Sequence, residues 1–186
     1  MLFRSGAEKA FDYYLPTSSA NETGPDQIYA LSIPGNGKLR VSVSDGAGVD
    51  IDIQLLTALD AASCVIRHDS SFEYNVTPGL WYLVCDTWNL DSYTGAYTLT
   101  IDFTPAAGSH GSPYLIDSFP YSNSSTTVGK ESVFSNYLPF SSVPEPGPEE
   151  VYLLRITEGG TFTMTVSDGI GVDIDIHLLT NSNASS

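Results

Sequence analysis

The fold of this chain is decided by residues 44–57, SDGAGVDIDIQLLT. They read as a Gly-rich turn followed by a strand, because apolar and acidic side chains alternate with a period of two. The same fourteen residues return at 167–180, changed only where Ala47 becomes Ile170 and Gln54 becomes His177. An offset of 123 residues therefore relates two copies of one unit.

The repeat extends well beyond this stretch. From Gly24 to Thr57, 19 of 34 positions are identical to residues 147–180, and the Tyr-Leu-Pro of residues 14–16 returns at 137–139. A repeat of this length predicts a whole domain rather than one unit of a solenoid.

The first copy reads as a series of short strands separated by turns. The predicted strands are 11–15, 28–33, 38–43, 49–56, 63–67, 80–86 and 95–103. The Pro-Gly-Asn-Gly at 34–37 predicts a hairpin turn between the second and third of them. About eight short strands per complete repeat predict an all-β fold, a jelly-roll-like antiparallel β-sandwich.

The repeat also predicts the domain organisation. We expect a first sandwich at 1–104, a Gly, Ser, Ala and Pro-rich linker at 105–113, and a second repeat at 114–186. Nothing in the second copy corresponds to Cys64 or to the strands at 80–86 and 95–103. The expectation is a first copy trimmed at its N-terminus and a second copy truncated at its C-terminus.

The net charge of -15, from seven basic and 22 acidic residues, restricts the partners of this chain. A phosphate backbone would be repelled, so no nucleic acid is expected as a partner. No apolar run is long enough for membrane insertion. The sequence begins without a secretory signal, yet its composition is typical of extracellular or cell-surface proteins.

Four motifs resemble a known family when they are taken in order. They are VDIDIQLL at 49–56, CVIR at 64–67, PGLWYLVCDT at 78–87 and GAYTL at 95–99. Together they resemble the bacterial pre-peptidase C-terminal domain. The resemblance implies a sandwich without catalytic residues, attached to other domains of a larger secreted or surface protein. It further implies roles in secretion or stability and, in some relatives, binding of collagen or polysaccharide.

The acidic residues of the repeated stretch are candidate metal ligands. Asp50 and Asp52 share one strand face, and Asp45 lies in the preceding turn. Their counterparts in the second copy are Asp168, Asp173 and Asp175. Clustered carboxylates would suit Ca2+, the only cofactor that the sequence suggests. The alternative is a solvated strand face whose charges prevent edge pairing.

Cys64 and Cys85 are the only two cysteines, which is too few for a zinc site. In an oxidising compartment they predict a disulfide; the alternative is two buried thiols. The three histidines, His68, His110 and His177, accompany no nucleophile motif. No catalytic residue is predicted, and the chain is expected not to be an enzyme.

Trp88 and Tyr93 follow the predicted strand at 80–86 and could form a stacking surface for a sugar or peptide. The sequence therefore favours a non-catalytic accessory module that serves secretion, stability or spacing of a partner domain. The alternative is a module that binds an extracellular polymer through these aromatic residues, and a third interpretation is a structural stalk.

Overall fold

The computed structural model describes residues 9–20, 22–89, 93–137 and 143–181. The chain divides into two compact units, residues 1–106 and residues 107–186. No helix among the described residues is long and apolar enough to cross a membrane.

The first unit is an antiparallel β-sandwich. One sheet has the strand order β1-β6-β3-β4 and the other has the order β5-β2-β7. A 3-10 turn at Ala61–Ser63 precedes β4. The strands are β1 (Gln27–Ile33), β2 (Gly37–Asp45), β3 (Ile51–Leu56), β4 (Cys64–His68), β5 (Ser71–Val76), β6 (Gly79–Thr87) and β7 (Tyr97–Pro105). The prediction of an all-β antiparallel sandwich is confirmed.

The core lies between the two sheets and is built from alternate residues of each strand. On β2, Leu39, Val41 and Val43 are buried, while the residues between them are exposed. From the opposite sheet, Ile53 of β3 and Leu83 of β6 complete the same cluster. The period of two in the sequence therefore assigns the inward face correctly.

The predicted hairpin at residues 34–37 is wrong. Strand β1 pairs with β6, whereas β2 pairs with β5 and β7, so this turn carries the chain from one sheet to the other. The reason is that both strands direct an apolar face into the core, from opposite sides. Gly37 serves close packing, because a Cβ there would lie 2.5 Å from the carbonyl oxygen of Thr104.

The residues before β1 form an irregular segment that covers the outer face of the four-stranded sheet. We call this segment, residues 9–20 and 22–26, the strap. The strand predicted at 11–15 is not formed; instead, Tyr14 is fully buried against Leu56, Cys64 and Val84. The four-stranded sheet is thus covered on both faces, by the core on one side and by the strap on the other.

The second unit has less regular structure. Strands β8 (Tyr114–Ile116) and β9 (Tyr152–Leu154) pair in parallel. The offset of 123 places the counterparts of β2 and β3 at 160–168 and 174–179. Although the structure describes all of residues 143–181, it forms no strand in either segment.

Candidate functional site

The candidate site is a cluster of carboxylates beneath the strap. Four acidic side chains are almost fully buried there: Glu22 and Asp86 at 0% exposure, Asp26 and Asp52 at 1%. The strap supplies Glu22 and Asp26, and the sheet supplies Asp52 from β3 and Asp86 from β6, which are opposite each other in the strand register. Since β3 directs Ile51, Ile53 and Leu55 into the core, its alternate residues must face the strap.

Arg67 of β4 brings positive charge to this cluster. Its Nη2 lies 2.7 Å from Oδ2 of Asp52 and 3.0 Å from Oε1 of Glu22, and its Nη1 lies 2.6 Å from Oδ1 of Asp69. One guanidinium therefore joins the strap to two strands. Asp69 is exposed, but Asp52 and Glu22 are buried, so loss of Arg67 would leave these two groups buried without compensation.

Hydrogen bonds tie the strap to β6 and join its own two ends. The Tyr14 hydroxyl donates to Oδ2 of Asp86 at 2.6 Å. The backbone N–H groups of Ala10 and Phe11 donate to the Asp26 carboxylate at 3.0 to 3.2 Å. The backbone N–H of Gly24 donates to the backbone carbonyl of Thr87. The side-chain hydroxyl of Thr87 donates in turn to the backbone carbonyl of Pro25.

Burial makes the cluster hold protons. It raises the pKa of Asp86 from 3.8 to about 9, although the hydrogen bond from Tyr14 acts in the opposite direction. Burial, and then the neighbouring Glu22 carboxylate, raise the pKa of Asp52, against the attraction of Arg67. Burial and the charge of Asp86 likewise raise the pKa of Tyr14.

An unsatisfied oxygen is consistent with a retained proton. Oδ1 of Asp86 is buried and accepts no hydrogen bond from any residue that the structure describes. A carboxyl that keeps its proton avoids the cost of placing an uncompensated charge in a region of low polarity. The arrangement suits attachment of the strap, since its carboxyl groups are closed off from a substrate.

The predicted calcium site is not formed. The carboxylate of Asp45 is exposed and accepts a hydrogen bond from the backbone N–H of Ile51 at 3.3 Å, whereas Asp52 is buried against Arg67. Asp50 is half-buried. Among the residues that the structure describes, no three acidic, His or Cys side chains form a group that could hold a metal ion, so Asp45, Asp50 and Asp52 do not form one. The alternative of a solvated strand face is also wrong for Asp52.

In the second copy, Asp168, Asp173 and Asp175 are all exposed. None of them takes part in a group of three metal-ligating side chains within the described part of the chain. The strand that would bring the last two onto one face is not formed there.

The predicted disulfide is absent, and both cysteines are free, buried thiols. Cys85 faces the core between the sheets, while Cys64 faces the strap on the other side of the same sheet. A bridge would have to pass through the sheet. Burial raises the pKa of Cys85 to about 12, so this thiol is inert at neutral pH.

Trp88 and Tyr93 do form a pair. Their ring centroids are 5.4 Å apart with planes tilted by 49°, and Trp88 is 37% exposed. Backbone hydrogen bonds fix both residues on Asp50, whose carbonyl accepts from Trp88 N–H at 3.2 Å and whose N–H donates to the carbonyl of Tyr93 at 3.1 Å.

Sequence reasoning missed the buried cluster, although the repeat contains a signal for it. At the offset of 123, Tyr14 and Glu22 recur as Tyr137 and Glu145, and the counterpart of Asp26 is another acidic residue, Glu149. A preserved polar pattern outside any strand could have indicated a shared structural role.

The contacts of the strap recur in the second unit at the same offset. The backbone N–H groups of Val133 and Phe134 donate to Oε1 of Glu149, as those of Ala10 and Phe11 donate to Asp26. His177 occupies the position of Gln54 in the second copy, and its ring stacks on that of Tyr137. The distance from its Nε2 to Oε2 of Glu145 is 2.5 Å.

No protein-family model matches this chain, and no curated protein matches its sequence.

Proposed function

We propose that this chain is a non-catalytic accessory β-sandwich module of a secreted or cell-surface bacterial protein, of the pre-peptidase C-terminal type. The observation that carries the proposal is the position of the carboxylates. Glu22, Asp26, Asp52 and Asp86 are buried. Glu22 and Asp86 hold the strap on the sheet through Arg67 and Tyr14, and Asp26 joins the two ends of the strap. Groups placed in this way stabilise a module and are inaccessible to a substrate.

The order of the sequence motifs supports the same proposal. The stretches at 49–56 and 78–87 include the strands β3 and β6, which are neighbours in one sheet, and GAYTL at 95–99 leads into β7. The same resemblance places the module outside the cell, with other domains of a larger parent protein as its partners.

The test is the effect of the module on an attached protein. An exported reporter enzyme joined to this chain in a bacterial host is expected to accumulate at least about twofold more outside the cell than the reporter joined to a Gly-Ser linker of equal length. The variant Ile53→Asp, which places a charge in the core, should lose this gain, and Ile176→Asp, at an exposed position, should keep it. Equal yields with module and linker would contradict the accessory role.

A second candidate function is binding of an extracellular polymer, and the Trp88–Tyr93 pair favours it. Trp88 is 37% exposed and Tyr93 is half-buried, and aromatic rings held by backbone hydrogen bonds lose little entropy when a sugar ring or a peptide stacks on them.

Sedimentation with insoluble polysaccharides and with collagen tests this second candidate. If the pair binds, Trp88→Ala should reduce the bound fraction by about tenfold, as loss of one stacking residue does elsewhere. Leu80→Ala removes another exposed apolar side chain and is the matched control. Equal binding by the wild type and Trp88→Ala would rule out this surface.

A further inference from the structure

Strand β7 forms an open edge of the three-stranded sheet. It pairs with β2 on one side and, within the described part of the chain, with no strand on the other. At nine residues it is the longest edge strand that the structure describes in the first unit. Its sequence, YTLTIDFTP, contains no Lys or Arg, its register with β2 is continuous, and its one proline is the last residue. Because basic residues, bulges and prolines are what keep an edge from pairing, β7 lacks the usual protection.

Three residues of β7 direct their backbone groups toward this open side. The N–H of Gly46 donates to the carbonyl of Ala96, in the same register that pairs β2 with β7. Since hydrogen-bonded pairs alternate along an antiparallel ladder, the even-numbered residues of β7 bond with β2. Leu99, Ile101 and Phe103 therefore present their N–H and carbonyl groups to the outside of the sheet.

The side chains of the same three residues are incompletely covered. Leu99, Ile101 and Phe103 pack against the core but are only half-buried, whereas their register partners on β2 are 1 to 8% exposed. A strand added beside β7 would place its own apolar side chains next to them and would satisfy the outward backbone groups at the same time.

The outward face of this sheet carries no net charge. Its charged side chains are Lys38 and Arg40 of β2, Glu73 of β5 and Asp102 of β7, two of each sign. The chain as a whole has a net charge of -15, which makes two copies repel each other. Repulsion between two copies is therefore small where they approach through this sheet.

We propose that the open edge of β7 pairs with β7 of a second copy of this chain, antiparallel and centred on Ile101. In this register Ile101 lies opposite its own copy and Leu99 lies opposite Phe103, so the outward backbone groups bond with each other and apolar side chains meet on the core side. On the other face, Thr100 lies opposite Asp102 on each side of the twofold axis, and its hydroxyl donates to the carboxylate. No charged residue of β7 meets a like charge, and the two three-stranded sheets become one sheet of six strands.

The mass of the full chain in solution and the exchange of its amides test the pairing. One pair of strands is a small interface, so analytical ultracentrifugation should detect a weak dimer at about 0.1–1 mM protein. As the dimer forms, we expect hydrogen exchange at the amides of Leu99, Ile101 and Phe103, resolved by NMR, to slow by about tenfold. The amides of Thr100 and Asp102 already bond with β2 and are the internal control.

Two substitutions at one exposed position test the register. Thr100→Lys places a cation opposite Asp102 of the second copy, and Thr100→Asp places a like charge there. Because two such pairs form in each dimer, we expect the dissociation constant to fall roughly fivefold in the first variant and to rise roughly fivefold in the second. Ser42→Lys and Ser42→Asp make the same changes of net charge on β2, one strand away from the interface, and should change the constant by less than about twofold.

A chain that stays monomeric at about 1 mM overturns the proposal. A dimer in which Leu99, Ile101 and Phe103 exchange as fast as in the monomer also overturns it, because another surface then joins the two copies. Equal dissociation constants for Thr100→Lys and Thr100→Asp exclude the register centred on Ile101 and contradict the proposal as well. The inference does not depend on the accessory function.

Discussion

The hydrogen bond from Tyr14 to Asp86 joins two residues that are buried and far apart in sequence. Tyr14→Phe removes the donor and leaves the Asp86 carboxyl without it. We expect this variant to lower the free energy of unfolding by about 1–3 kcal/mol, the cost of an unsatisfied buried polar group. Denaturant unfolding followed by tryptophan fluorescence measures the first unit alone, since Trp81 and Trp88 both lie there.

Tyr13→Phe is the matched control for this substitution, because the neighbouring Tyr13 side chain is exposed. Equal stability of the two variants would show that the hydroxyl of Tyr14 contributes nothing to attachment of the strap.

The guanidinium of Arg67 is the second test at the level of single residues. Arg67→Met leaves Asp52 and Glu22 buried without the guanidinium that contacts both of them, so we expect a loss of about 3 kcal/mol in the free energy of unfolding. Arg40→Met removes the exposed pair with Glu73 and should cost about 0–1 kcal/mol. Similar losses in both variants would contradict the special role of the buried pair.

At the level of elements, the chain provides two copies of one strand sequence in different surroundings. Ile53→Ala empties a filled position in the core, and we expect it to cost about 2–5 kcal/mol. Ile176→Ala changes the counterpart in the second unit and should leave the tryptophan-monitored unfolding within about 0.5 kcal/mol of the wild type. A large effect of Ile176→Ala on that transition would mean that the residue is packed in solution.

The period of two explains which features of the strands could be predicted. On β2 it separated the inward Leu39, Val41 and Val43 from the outward residues between them, because burial alone decides those faces. On β6 it separated the two faces but did not show which one meets the core, because residues on both are buried. It could not reveal that β1 and β2 belong to different sheets, since either arrangement buries Leu31 and Leu39. Strand β5 was missed because only Phe72 and Val76 of its six residues are buried.

The buried cluster could not be predicted from sequence for a related reason. Tyr14, Glu22, Asp52, Arg67 and Asp86 come from four separate segments, and only the fold brings them together. The strap has no periodic pattern, so Tyr14 in it was assigned to a strand. Asp52 was assigned to solvent or to calcium because acidic residues are rarely buried.

At the level of the whole molecule, the stability of the first unit should fall as pH rises. The unfolded chain releases the Asp86 proton near pH 3.8, whereas the folded chain holds it until about pH 9. Between these values the folded state binds more protons than the unfolded state, so raising the pH favours unfolding. Asp52 acts in the same direction. Melting temperatures between pH 6 and pH 9 measure this, in a window where few other carboxyl groups titrate.

Asp86→Asn is the control for the pH dependence, because it keeps a hydrogen-bonding group without the titration and should flatten the profile. A profile as steep in Asp86→Asn as in the wild type would exclude Asp86 as the cause. Melting temperatures at pH 9 with and without added calcium show whether protons or a cation neutralise the buried carboxyl groups. A rise in melting temperature that is specific to calcium would mean that the deprotonated cluster takes up this cation.

The strap has a consequence for how the protein is made. Tyr14 leaves the ribosome 72 residues before Asp86, the residue to which it donates. Until β6 has emerged and joined the sheet, the strap has no surface on which to dock. The strap of each newly made chain therefore stays undocked until then, and its attachment reports that β6 has joined the sheet.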